Sequence, residues 1–203
     1  KHWPQRAAFL RAVGAALEEV PSRLAYYPGA MERYARLTEG RERVETFGER
    51  TPTKLPWTIV HDLDPEDEGD PAFSTEPFCG LISVTALDAR EPAELVRAAT
   101  AFMNDTLWGT LNAMIVVPPK LERSAEVGEA LDDAILELRY GTVAINHWPA
   151  LAYATADRGG CHQRAFPIGS DALGGERDPH DIDDHAEVVV DEQDEGALTF
   201  SMV

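Results

Sequence analysis

The sequence predicts an α/β fold, and three observations carry that expectation. Residues 78 to 146 alternate strand, helix, strand, helix, strand. The strand candidates are apolar runs of about four to eight residues bounded by turn signals, the pattern of strands covered on both faces. The helical stretches between them repeat apolar residues every three or four positions. Such alternation implies parallel strands joined by right-handed crossovers, with helices on the sheet faces: a three-layer αβα arrangement around a mainly parallel sheet.

Taken in order, Ala7, Phe9, Leu10, Val13, Ala16, Leu17 and Val20 form one amphipathic stripe that Pro21 ends. Tyr26-Tyr27-Pro28-Gly29 is a turn, and Ala30 to Leu37 resumes a short helix before Gly40. Val44 to Phe47 and Trp57 to Val60 are short strands, and Asp62 to Asp70 is an acidic loop, with His61-Asp62-Leu63-Asp64 read as a solvated turn. Phe78 to Thr85 is a strand expected to be buried on both faces. Pro92 sits in the first turn of the next helix, where its missing N–H costs nothing. Leu95, Val96, Ala99, Phe102 and Met103 form that helix's apolar face, and Leu111 to Val117 is a second buried strand stopped by Pro118-Pro119. Ser124 to Leu138 is a helix with Gly141 placed as its C-cap glycine, and Thr142 to Asn146 is the third strand.

One core is what 203 residues can bury, and 44% hydrophobic with 27% charged content fits a globular chain. A formal charge of −18 excludes a polyanion-binding surface, so no nucleic-acid partner is expected, although much of the excess follows Ser170. Two cysteines make no disulfide framework and point to a reducing, cytoplasmic setting. No run reaches membrane-spanning length, so no membrane partner is expected. Lys1 stands where a Met would and opens directly into helix-like sequence, so a processed protein or a fragment is expected.

Three pieces carry a resemblance. Glu76-Pro77-Phe78-Cys79-Gly80 resembles a Glu-x-Phe-Gly-Pro motif leading into a strand. Asn104-Asp105-Thr106-Leu107-Trp108-Gly109-Thr110-Leu111 resembles an Asn-x-x-x-Tyr-Gly-Leu turn, and Leu138 to Asn146 resembles Leu-x-x-Gly-x-Val-x-x-Asn. In this order and spacing they look like the C-terminal catalytic-domain portion of the aldehyde dehydrogenase superfamily. The resemblance covers residues 55 to 150. Cys79-Gly80 in place of Gly-Pro, and Trp108 in place of Tyr, depart from the pattern.

The resemblance implies an oxidoreductase that converts a small-molecule aldehyde to an acid with NAD or NADP, through a cysteine thioester. By position, Glu76 would accept hydrogen bonds from the ribose hydroxyls and Phe78 would lie beside the nicotinamide, while Asn146 and Trp148 would flank the substrate mouth. The family's nucleophile and its glycine-rich cofactor fold lie upstream of the matched motifs. No catalytic residue is therefore assigned within residues 1–203, and the cofactor would be held mainly by an N-terminal domain not in this sequence. The chain alone is expected to be inactive, and the full-length protein to be a homo-oligomer. The rival expectation is a stand-alone, non-catalytic α/β binding or regulatory module.

Other candidates are weaker. Cys79 has no basic neighbour in sequence to lower its pKa, so a buried, inert thiol is expected. Cys161-His162 is adjacent in sequence only, which says little about pairing in space. His180-Asp181-Ile182-Asp183-Asp184-His185 offers metal ligands but sits in a charged run of the kind found on solvated surfaces, so no metal site is assigned. Residues 1–153 are read as the catalytic-domain portion. Residues 154–203, where resemblance stops and acidic residues dominate, are read as a divergent tail, disordered or translated from a displaced frame, with strand candidates at Val188–Val190 and Leu198–Phe200.

Overall fold

The computed structural model describes residues 3–149 and, as backbone, residues 199–202. Expectations at Cys161, His162, His180 to His185 and Val188 to Val190 lie outside the described residues. The chain is mixed α/β, in the order α1 (Arg6–Glu18), β1 (Arg23–Leu24), α2 (Ala30–Thr38), β2 (Val44–Phe47), β3 (Lys54–Leu55), β4 (Trp57–Leu63), α3 (Pro71–Ser74), β5 (Leu81–Thr85), α4 (Pro92–Asp105), β6 (Asn112–Val116), α5 (Pro119–Glu122), α6 (Ala125–Glu137), β7 (Thr142–Ile145) and β8 (Thr199–Met202).

Hydrogen bonding divides these strands into three small sheets, β1-β3, β2-β4-β5 and β7-β6-β8. The pairs β4–β5 and β6–β7 are parallel; β1–β3, β2–β4 and β6–β8 are antiparallel. The pairing is thus mixed where a mainly parallel sheet was expected, and β5 and β6, consecutive along the chain, do not bond to each other.

The strand buried on both faces is β4, not β5. Thr58, Ile59 and Val60 are fully buried. Val60 packs with Tyr34, Leu37 and Phe73 in one core, and the Tyr34 hydroxyl lies 2.9 Å from Thr58 Oγ1. Along β4 the side chains alternate, so Ile59 and His61 face the other way, towards β2 residues Glu45 and Phe47 and helix α1. The strand following Gly80 is an edge, with Ile82 and Ser83 exposed. An apolar run reads the same in sequence whether its sheet neighbours exist on one side or two. β4 also continues to Leu63, so the expected solvated turn at His61 is instead strand. His61 is buried, with Nε2 2.9 Å from Glu45 Oε2. Asp62, at φ 56°, marks a register shift in β4 and ties Arg6 and Arg43.

The second core joins α4 and α6 to β6: Val96, Met103, Ile115, Val117, Leu131 and Ala134. Pro92 does begin α4, where Glu94 Oε2 accepts from Arg90 N at 2.9 Å. Ser124 caps α6 by accepting from Val127 N. Gly141 is not the C-cap; that position is Leu138 in extended geometry, and Gly141 N donates to Thr110 O at the start of β7. The strand candidate at Leu198–Phe200 overlaps β8 at Thr199 and Phe200, and β8 runs antiparallel to β6. No described helix is long and apolar enough to cross a membrane.

Candidate functional site

The segment from Asp70 to Gly80 carries the carboxylate and ring singled out in the sequence, and helix α2 holds it. Asp70 begins it as the N-cap of α3, accepting from Ala72 N at 2.8 Å, with Pro71 in the first turn. Three arginines on α2 and just beyond it reach across. Arg41 grips the buried Asp70 carboxylate with both terminal nitrogens, the Nη2–Oδ1 arm at 2.5 Å. Arg36 Nη2 donates to Thr75 Oγ1 at 3.0 Å, and Arg33 Nε donates to Pro77 O at 3.0 Å. The hydrogen bonds from Arg41 hold the Asp70 carboxyl below its usual range, against the opposing effect of burial.

At the tip, Phe78 takes φ 49°, a left-handed conformation that bulky residues rarely adopt and that costs on the order of 1–3 kcal/mol. Its surroundings hold it there. The Tyr27 ring lies 5.2 Å from the Phe78 ring, and Arg33 Cζ lies 5.1 Å from the ring centroid. Even so, Phe78 keeps 43% of its surface exposed. Glu76 is exposed too, and among the described residues its carboxylate has no partner. Behind the tip, Gly80 lies against the Trp57 ring, where an added Cβ would come within 2.6 Å of Cε3, and its carbonyl accepts from Thr58 N at 2.9 Å. Only glycine fits there.

Cys79 is half-buried, and burial pushes its thiol up, with the nearby Arg33 partly opposing. That basic neighbour was invisible in sequence because it arrives from α2. The balance still leaves a protonated, sluggish thiol, as expected for a structural cysteine.

The other two motifs meet each other. Asn104 at the end of α4 donates from Nδ2 to Glu137 O and accepts at Oδ1 from Arg139 N, both at 2.9 Å. Tyr140 donates its hydroxyl to Met103 O at 3.1 Å. Trp108 N in turn donates to Phe73 O at 2.7 Å, tying this unit to α3 and so to the Glu76 segment. The Trp108 side chain itself is exposed.

Asn146 does not join Glu76 and Phe78. Its amide binds both backbone groups of Val117, and its third contact is Glu122 Oε2 at 3.4 Å, so its partners all lie where β6 runs into α5. Its residue type is explained by this clamp and by its φ of 55°. Trp148 follows it, about half exposed. Glu76 and Phe78 precede the amino end of β5, whereas Asn146 and Trp148 follow the carboxyl end of β7.

Two clefts lie elsewhere. One of about 440 Å³ borders Asp62 and Ala86, and one of about 550 Å³ runs beneath α1 past Arg43, Glu45 and His61. Arg6 and Arg43 pair with Asp62 there, and Glu45 Oε2 lies 2.9 Å from His61 Nε2. The Glu76 turn borders neither of these clefts, and Glu76 and Phe78 are exposed on it. Among the described residues no three His, Cys, Asp or Glu side chains converge as a metal site would require. The arrangement therefore defines an α/β chain presenting one free carboxylate and one ring on a braced turn. Neither protein-family models nor curated proteins give a match to the chain.

Proposed function

We propose that this chain is the C-terminal catalytic-domain portion of an aldehyde-dehydrogenase-like enzyme, with Glu76 and Phe78 forming the edge that meets a nicotinamide dinucleotide. The observation that carries the reading is the free, exposed Glu76 carboxylate beside the exposed Phe78 ring, on a turn braced by α2. A carboxylate accepts from two hydroxyls at once, which suits the cis-diol of a ribose, and a half-exposed ring gives a flat apolar wall for a planar base. When bound, NAD or NADP supplies the hydride acceptor for aldehyde oxidation. The residues of this chain bind and orient it: Glu76 by the diol, Phe78 by the ring, and the α2 arginines by keeping both in place.

The three-layer αβα arrangement belongs to the same proposal. It is supported by the β2-β4-β5 sheet, where β4 has α2 on one face and α1 on the other. The direct link of Asn104 and Met103 to Arg139 and Tyr140 supports reading the two later motifs as one unit. The attacking thiolate is proposed to lie upstream of the matched motifs, as the resemblance implies; Cys79, with the environment of a structural thiol, does not supply it. The proposed setting is a homo-oligomeric, cytoplasmic enzyme acting on a small-molecule aldehyde. In this reading Asn146 also supports β6 through Val117, and Asn146 and Trp148 lie near the substrate mouth.

The unactivated thiol of Cys79 also fits a second reading, a non-catalytic α/β binding or regulatory module. The test is aldehyde-dependent reduction of NAD(P)+ by the intact gene product. Turnover that needs both aldehyde and nucleotide supports the enzyme; nucleotide binding with no turnover supports the module.

A further inference from the structure

We propose that Arg33 is a positioning residue for the Glu76–Phe78 edge, an inference that rests on that edge meeting a nucleotide. One guanidinium makes three contacts with two separate turns: Nη2 donates to Pro28 O at 3.1 Å, Nε donates to Pro77 O at 3.0 Å, and its carbon lies 5.1 Å from the centroid of the Phe78 ring. The turn before α2 is shaped to receive it. Gly29 is left-handed at φ 76°, and a Cβ there would come within 2.9 Å of Arg33 Nη1. Tyr27, on the same turn, packs on Phe78. The Tyr-Tyr-Pro-Gly turn and the Glu-Pro-Phe turn are thus two jaws joined through one side chain.

The backbone at Phe78 makes this more than packing. Left to itself a phenylalanine at φ 49° relaxes towards extended or right-handed geometry, and rotation there redirects the Glu76 carboxylate relative to β5. The Pro77 carbonyl lies in the peptide unit that such a rotation turns, and Arg33 holds that carbonyl. A planar fork can donate at its edge and stack on its face together; an ammonium cannot. Arg33 thereby acts on a nucleotide through Glu76 and Phe78 without touching it.

The test compares Arg33→Ala, Arg33→Lys and Glu76→Gln by two measurements. The first is hydrogen exchange of peptides spanning 76–82, which needs no cofactor. The second is KM for NAD(P)+ against kcat in the active enzyme containing these residues. Exchange at 76–82 is expected to quicken on the order of tenfold in Arg33→Ala, with little recovery in Arg33→Lys and no change at 112–117. KM is expected to rise about tenfold with kcat changed less than about threefold, the signature of lost binding rather than lost chemistry. Unchanged exchange in Arg33→Ala overturns the positioning role. Quickened exchange with unchanged KM also overturns it if Glu76→Gln raises KM. If Glu76→Gln leaves KM unchanged as well, the nucleotide reading itself fails, and the role for Arg33 falls with it.

Discussion

Asn146 occupies the place of one more strand residue opposite Val117. Its Oδ1 accepts from Val117 N and its Nδ2 donates to Val117 O, each at 2.8 Å, while its own N–H donates to Ile115 O. The side chain continues the β6–β7 ladder past the point where the backbone, at φ 55°, has turned away. Val117 is buried, so its N–H and C=O have little access to water in exchange. Asn146→Ala removes both bonds and leaves a residue poorly suited to the left-handed region. It is expected to cost about 2–3 kcal/mol in urea unfolding, whereas a change below about 0.5 kcal/mol would mean that water replaces the amide.

Asp70 provides the pH-dependent part of the site's support. Its folded carboxyl titrates below the unfolded value because Arg41 bonds to it, so as pH falls the unfolded chain takes up the proton first. The stabilisation is complete above the unfolded pKa of about 4 and is lost as pH falls through the depressed folded value. Asp70→Asn is expected to cost about 2–3 kcal/mol at pH 7, because it leaves Arg41 without its carboxylate, and to flatten the loss of stability below pH ~4. Chemical denaturation at a series of pH values reads both.

Gly80 tests the seat of the turn. Gly80→Ala drives a methyl into the Trp57 ring, whose Nε1 donates to Pro21 O at 3.2 Å. The change is expected to destabilise by about 1–3 kcal/mol and to shift Trp57 emission as the ring is displaced. Unaltered stability and emission would show that the turn does not rest on the ring.

Cys79 is expected to alkylate slowly at neutral pH. With its thiol pushed up by burial, the rate read at this site by mass spectrometry should fall on the order of tenfold below that of an exposed cysteine at pH 7, and climb as pH rises. Fast, pH-independent labelling would mark an activated thiolate and reopen the question of the nucleophile.

Much of this fold is written in local pattern. The stripes Ala7 to Leu17 and Val127 to Ala134, and the prolines at the start of α4 and after β6, define elements that the structure contains within a residue or two. Burial of whole strands is not local. Phe78 to Thr85 and Trp57 to Val60 are both apolar runs, and only the pairing of β4 between β2 and β5 decides which is central. His61 looked like the start of a solvated turn because its partner, Glu45, sits on a different strand. At the site, Glu76 and Phe78 stand out by type, but their bracing does not. Arg33 and Arg36 are three residues apart on α2, so they share a face, yet nothing in their spacing names Pro77 and Thr75 as targets. Asn146 shows the converse: a residue selected for a motif proves to be engaged by the backbone beside it.

The most direct test of the proposed role of this chain is Glu76→Gln in the active enzyme, read as KM for NAD(P)+. Glutamine keeps the size but replaces one acceptor oxygen by a donor and removes the charge that two hydroxyls would share. KM should rise by about tenfold or more, in line with hydrogen bonds to a charged group, with the aldehyde KM little changed. An unchanged nucleotide KM, with the variant folded, would contradict the account.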